Sequence, residues 1–149
     1  MELNGLFLID KVENMTSRDV DNAIQKKFQT RKVGHLGTLD PFATGLLIVG
    51  INKGTKLLSY IEDNYKTYIA VLKLGSFTTS GDLTGKVKEN LAVPTLTNEE
   101  INRVLLGFLG KSMQKPPVFS AKKINGKELY KYAHKNQTVD ENIIKDIEI

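Results

Sequence analysis

The sequence predicts an α+β domain. Two segments begin with a helix cap and continue with apolar residues at helical spacing. Several short apolar runs have strand character, and an Asn-Gly pair between two of them marks a hairpin. At 149 residues there is room for one domain with a real core and no obvious linker.

Residues 5–10 are a short apolar run ending in a charge, which predicts a buried strand. Thr16-Ser17-Arg18-Asp19 has a hydroxyl followed three residues later by a carboxylate, the pattern of a capping box. Behind it Val20, Ala23, Ile24 and Phe28 recur at helical spacing, so a helix runs on to about Thr30. Residues 34–45 show neither period and read as a glycine-rich loop. Residues 44–51 are apolar and β-branched, a strand. Residues 53–61 suit a short helix with Leu57, Leu58 and Ile61 on one side. Residues 65–74 read as a strand with Tyr68, Ala70, Leu72 and Leu74 on one face. The polar, glycine-bounded residues 75–85 form a loop.

Thr97-Asn98-Glu99-Glu100 is a second capping box. Ile101, Val104, Leu105, Phe108 and Leu109 make an amphipathic stripe, and Gly110 stands at the C-cap. Pro116-Pro117 breaks the next segment. Residues 120–128 read as a hairpin around Asn125-Gly126, and residues 129–135 as one or two helical turns. Residues 142–149 look like a strand with Ile147 and Ile149 on one face. The chain stops inside it, as though a sheet were cut partway.

Apolar content of 40% against 26% charged residues describes a globular chain, and no apolar run is long enough to span a bilayer. The first residues lack the pattern of a secretory signal. With no cysteine, disulfides, thiolate metal sites and cysteine nucleophiles are excluded, and a cytoplasmic setting fits. The net charge of +4 favours polyanionic partners. The cations are nearly all lysine, the arginines being Arg18, Arg31 and Arg103. Such a surface can follow a phosphate backbone but reads base edges poorly.

Three familiar sites fail on spacing. Gly45 and Gly50 have the separation of a phosphate-binding loop, but Ile51 follows where a lysine is needed. There is no dinucleotide fingerprint. His35 and His134 lie far apart with no acidic or histidine partner at metal-ligand spacing.

What remains is Gly34-His35-Leu36-Gly37-Thr38-Leu39-Asp40-Pro41-Phe42-Ala43-Thr44-Gly45, which holds one carboxylate between backbone breakers. Asp40 is a candidate nucleophile or general base there, and equally a turn initiator, since Asp-Pro starts many turns. Gly34 and Gly37 allow close approach of backbone to a bulky ligand. His35 can donate or accept near neutral pH.

The order of this block resembles the signature of the TruB family of tRNA pseudouridine synthases. The resemblance extends to Leu8-Ile9-Asp10-Lys11, to Lys66-Thr67-Tyr68, and to Leu74-Gly75 followed by Thr78, Asp82 and Gly85. It continues through Pro116-Pro117-Val118-Phe119-Ser120-Ala121-Lys122-Lys123, Gly126-Lys127 and Leu129-Tyr130-Lys131-Tyr132-Ala133. Five blocks in order cover nearly the whole chain. The resemblance implies a pseudouridine synthase catalytic fold: a mixed, largely antiparallel sheet flanked by helices. It implies that residues 1–149 are the N-terminal portion of that catalytic domain.

By the same resemblance Asp40 is the catalytic aspartate of uridine isomerisation at position 55, in the TΨC arm of tRNA. No metal or organic cofactor is implied. The target base must leave its stack, at a cost of about a few kcal/mol. His35 resembles the residue that inserts near the vacated position. Tyr68 resembles the aromatic that packs on the flipped uracil, a contact worth about 1–3 kcal/mol. Lys11 either supports the loop or contacts phosphate. Gly37 and Thr38 fall to RNA binding, and Asp82 with Thr78 to supporting polar contacts. Thr79 and Gly81 depart from the family's pattern. The family's later motif, a tyrosine and an arginine that pairs with the aspartate, and its C-terminal RNA-binding module do not occur in this sequence. Two functions therefore stand: a synthase acting on tRNA without a guide RNA or a membrane, or an RNA-binding chain that needs a complementing chain for turnover.

Overall fold

A computed structural model describes residues 3–61, 65–114, 123–124, 127–128 and 145–149. The chain divides into two compact units, Met1–Tyr68 and Ile69–Ile149.

The first unit is built on a three-stranded antiparallel sheet of β1 (Gly5–Lys11), β2 (Val33–Leu36) and β3 (Gly45–Ile51), with β3 in the centre. Gly5 pairs with Ile51 and Lys11 with Gly45 on one side. Val33 pairs with Ile51 and Leu36 with Ile48 on the other. Successive side chains alternate between faces, so this register puts Phe7, Ile9 and Lys11 on the same face as His35, Leu47, Val49 and Ile51. Helix α1 (Ser17–Phe28) supplies Val20 and Ile24 to the core that those three β3 side chains form, and Met15 and Leu39 pack against it. Each such aliphatic side chain taken out of water contributes about 1.5–3 kcal/mol.

The cap of α1 is the one expected. The Thr16 hydroxyl accepts from the Asp19 amide, and the Asp19 carboxylate accepts from the Thr16 amide. The helix ends at Phe28, where Gln29 turns into the left-handed region. Phe28 stacks on Phe7 with ring centroids 5.3 Å apart rather than joining the core.

Four expectations for this unit need correction. The run from Gly5 is not buried on both faces: it alternates, with Leu8 exposed, because among the described residues a helix covers one face. The glycine-rich block does not start as a loop, since Gly34 and His35 lie in β2 and pair with Gly50 and Val49. Residues 53–61 form two short 3-10 segments, Asn52–Lys56 and Leu58–Tyr60, rather than an α-helix. Gly54 there sits on Gly5 so closely that any Cβ would overlap its backbone, which favours a tight, locally packed turn over a regular helix. Residues 65–73 form no strand. Tyr68 and Leu72 are less exposed than Ile69 and Val71 on the opposite parity, but neither face of the run is buried. A run of period two becomes a strand only beside a ladder partner, and none of the described residues supplies one.

The second unit consists of small antiparallel pairs and one helix. β4 (Ser76–Thr78) pairs with β5 (Val87–Asn90), and β6 (Lys111–Gln114) with β9 (Lys145–Glu148). β7 (Lys123–Ile124) pairs with β8 (Lys127–Glu128) across the two-residue connection that Asn125-Gly126 predicts. The expected terminal strand thus finds a partner in β6, a segment whose mixed polar sequence gave no strand signal. Residues 76–78, expected in a loop, are strand for the same local reason: β5 lies beside them. Helix α2 (Asn98–Leu106) starts on the expected capping box of Thr97 and Glu100 but ends at Gly107, three residues before Gly110. Its apolar stripe is not covered by any described residue. The expected helix at residues 129–135 and the Pro116-to-Lys122 block lie outside the described residues.

The α+β class holds. The described strands are all paired antiparallel, but in four small sheets instead of one continuous sheet.

Candidate active site

Asp40 sits in the connection between β2 and β3, at the first corner of a turn. The Ala43 amide donates to the Asp40 carbonyl at 3.0 Å, with Pro41 at the second position, where its fixed φ suits the turn. The turn-initiating reading of Asp-Pro is thus realised, but by the backbone of Asp40. Its carboxylate is exposed and has no hydrogen-bond or ion-pair partner among the described residues.

The backbone on each side of that carboxylate is pinned from below. The buried Ser17 hydroxyl accepts from the Leu39 amide at 3.0 Å and lies 3.2 Å from the Leu39 carbonyl. On the other side the Pro41 carbonyl accepts from the Asn14 amide at 2.8 Å and from the Lys11 ammonium at 3.3 Å. Asn14 reaches it from the left-handed region, at φ 65°, a conformation asparagine tolerates. Lys11 is 1% exposed, and its three donors go to the carbonyls of Val12, Met15 and Pro41. The geometry of Lys11 is therefore that of loop support, not of a surface cation reaching for phosphate. The result is a carboxylate held by a fixed peptide on each side and left open to solvent.

His35 projects from β2 on the core face, toward α1. Its Nδ1 lies 2.8 Å from Oδ2 of Asp21, which is 1% exposed. The imidazole is itself about one-fifth exposed. Gly37 and Thr38 follow on the exposed part of the connection, Gly37 at φ +72°. A side chain there would meet the Lys66 ammonium, which brings that cation beside the loop. Tyr68, two residues further on, is exposed.

Asp82 belongs to the second unit and organises its own loop. Its Oδ1 accepts from the Ser80 hydroxyl, the Thr84 amide and the Thr84 hydroxyl, and its carbonyl accepts from Thr78. The hydroxyls of Thr84 and Ser80 hold its carboxyl below the usual carboxylate range.

The structure thus brings Lys11, His35, Gly37, Thr38 and Asp40 onto one end of one sheet in the first unit, while Asp82 belongs to the second unit. Sequence reasoning missed Asn14, Ser17 and Asp21. Ser17 stands inside the capping box and reads as part of the cap. Asp21 is 14 residues from His35, a separation that no motif spacing marks. No group of three or more histidine, aspartate or glutamate side chains with metal-binding geometry occurs among the described residues.

The family described as "TruB family pseudouridylate synthase (N terminal domain)" matches residues 25–149. This chain belongs to the TruB family. Among its relatives, the tRNA pseudouridine synthase B of Thermotoga maritima is 42% identical over 137 residues, covering 92% of this chain and 44% of that protein. That of Shouchella clausii is 46% identical over 134 residues, covering 89% and 44%. That of Opitutus terrae is 42% identical over 139 residues, covering 93% and 58%. The chain therefore spans about half the length of these TruB relatives. Among solved structures, one described as a Cbf5-Nop10-Gar1 complex superposes with a TM-score of 0.54 and 25% identity over 80% of this chain and 31% of that one. The fold expected from the TruB resemblance is thus found in a solved relative.

Proposed function

We propose that this chain isomerises uridine to pseudouridine in tRNA, at position 55 of the TΨC arm, with Asp40 as the catalytic carboxylate. The observation that carries the reading is the Asp40 carboxylate, without a partner among the described residues, on a backbone pinned by Ser17, Asn14 and Lys11. A side chain whose role was to stabilise the turn would spend its oxygens on it, as Asp82 does in its loop. The names of the TruB relatives supply the substrate class.

The reaction breaks the bond between N1 of uracil and C1′ of ribose, turns the ring, and joins C5 to C1′. The C5 proton is lost and N1 gains one, so the product is an isomer and no electrons are exchanged with a cofactor. Asp40 acts ionised, as nucleophile or base on the extruded nucleotide. His35 fills the space the base leaves, and Tyr68 stacks on the base. The reading places the reaction in the cytoplasm, on free tRNA, with no guide RNA.

A second reading is an RNA-binding chain that turns over only with a complementing partner. It is favoured by the extent of the relatives, which continue well beyond the matched region. Incubating the chain with unmodified tRNA, alone and with the C-terminal half of a relative, and scoring pseudouridine by carbodiimide adduct formation followed by reverse transcription separates the two. Turnover by the chain alone supports the first reading, and turnover only on complementation the second. Asp40→Ala should bring turnover to background and leave tRNA affinity intact. Its stability should change by no more than about 0.5 kcal/mol, because the side chain is exposed and unpartnered. Surviving turnover would remove Asp40 from the reaction.

A further inference from the structure

We propose that Asp21 is the positioning residue for His35: it fixes the imidazole with its proton on Nδ1 and so presents Nε2 as a hydrogen-bond acceptor to RNA. This inference rests on the proposed function for His35's contact with RNA, and on nothing else in that reading.

Asp21 and His35 come from different elements. Asp21 lies on the second turn of α1, and His35 on β2 faces that helix. Asp21 is 1% exposed, yet it is not a conventional core pair. Its Oδ2 takes the 2.8 Å contact from His35 and a longer one, 3.4 Å, from the mostly exposed Arg18. Its Oδ1 is buried and has no hydrogen-bond partner among the described residues. Burying a carboxylate oxygen without a donor is costly, and an apolar residue would fill the position at no such penalty. The cost is understandable if the carboxylate serves the ring it touches.

An ionised carboxylate only accepts, so Nδ1 of His35 must carry the hydrogen. A neutral imidazole then has its lone pair on Nε2, the atom on the far side of the ring from Asp21. Without the carboxylate the ring could take either tautomer and could turn about its Cβ bond. With it, one ring plane and one tautomer are selected before RNA arrives, and the ordering cost is not incurred on binding. The ligand chemistry that fits is a donor on the RNA: a ribose 2′-hydroxyl or a base N–H.

The test starts with the unmodified chain. Long-range 15N–1H correlation of histidine-labelled protein reads each ring nitrogen as protonated or bare, and His134→Gln assigns the signals, since the chain has two histidines. The expected result is a protonated Nδ1 and a bare Nε2 on His35. In Asp21→Asn the tautomers should mix, while helix content and melting temperature hold. Affinity for an unmodified TΨC stem-loop RNA should fall about five- to tenfold, the worth of one hydrogen bond. A purely structural Asp21 would lower the melting temperature and leave the tautomer alone. His35 with its proton on Nε2 in the unmodified chain overturns the proposal. So does a variant with mixed tautomers and unchanged RNA affinity. If the unmodified chain does not bind the RNA, the proposed function falls and takes this role with it, an outcome distinct from failure of the variant alone.

Discussion

At the scale of single residues, the candidate site is a contrast between spent and unspent groups. Lys11 has no free donor, Ser17 holds both polar atoms of one peptide residue, and the Asp40 carboxylate holds nothing among the described residues. Lys11→Met tests this division. The methionine chain fills the same space but leaves the Val12 and Met15 carbonyls without their ammonium donor, and Pro41 with only the Asn14 amide. Losing hydrogen bonds from a buried cation costs about 1.5–3 kcal/mol. We expect a destabilisation of about that size in urea unfolding. Turnover should fall further than affinity for tRNA, because the loop loses its anchor while its RNA-facing side is untouched. Reduced RNA affinity with unchanged stability would instead make Lys11 a phosphate contact.

At the scale of elements, both helices begin on reciprocal caps whose acids titrate together with the cap. Asp19 is held below the usual carboxylate range mainly by the Thr16 hydroxyl, then by the Thr16 amide. Glu100 is held there first by the Thr97 amide, then by its hydroxyl. A folded-state pKa below the unfolded one means the stabilisation is complete above the ordinary carboxylate value and is lost as pH falls through the folded one. Helix signal in far-UV circular dichroism should therefore decline as pH drops below about 4. Asp19→Asn and Glu100→Gln together should flatten that decline, and an equally steep curve in the double variant would place the acid sensitivity elsewhere.

These helices were legible because capping is local: four residues contain the whole signal. The Asp-Pro turn and the Asn-Gly hairpin were legible for the same reason. The strand expected at residues 65–74 failed because alternation reports what a run could pair with, not whether a partner lies beside it. β5 and β6 were missed from the other side, since Val87-Lys88-Glu89-Asn90 and Lys111-Ser112-Met113-Gln114 are paired yet carry little apolar pattern. At the site, Asp40 and His35 could be picked from one block of sequence. Asp21, Ser17 and Asn14 could not, because their roles exist only once α1 and the segment before it have packed under the loop.

At the scale of the whole molecule, every buried side chain among the described residues lies in the first unit, and none of the described side chains of the second unit is buried. The candidate site hangs from β2 and β3, the strands that hold the core, so its support is drawn from the most strongly packed part of the described residues. Sites built this way keep their geometry before a ligand binds. Native-state hydrogen exchange makes the claim specific. Amides of β3 should be the slowest, about 10²-fold or more behind those of β5 and α2, which have no buried side chains to hold them closed. The sharper expectation concerns three amides outside regular structure. Asn14, Leu39 and Ala43 donate to the Pro41 carbonyl, the Ser17 hydroxyl and the Asp40 carbonyl. If the loop is fixed in advance, these should exchange with the β3 amides, in the absence of RNA. Exchange at the rate of open loop amides would mean that Asp40 is placed only when RNA binds, and the argument from a pinned carboxylate would fail.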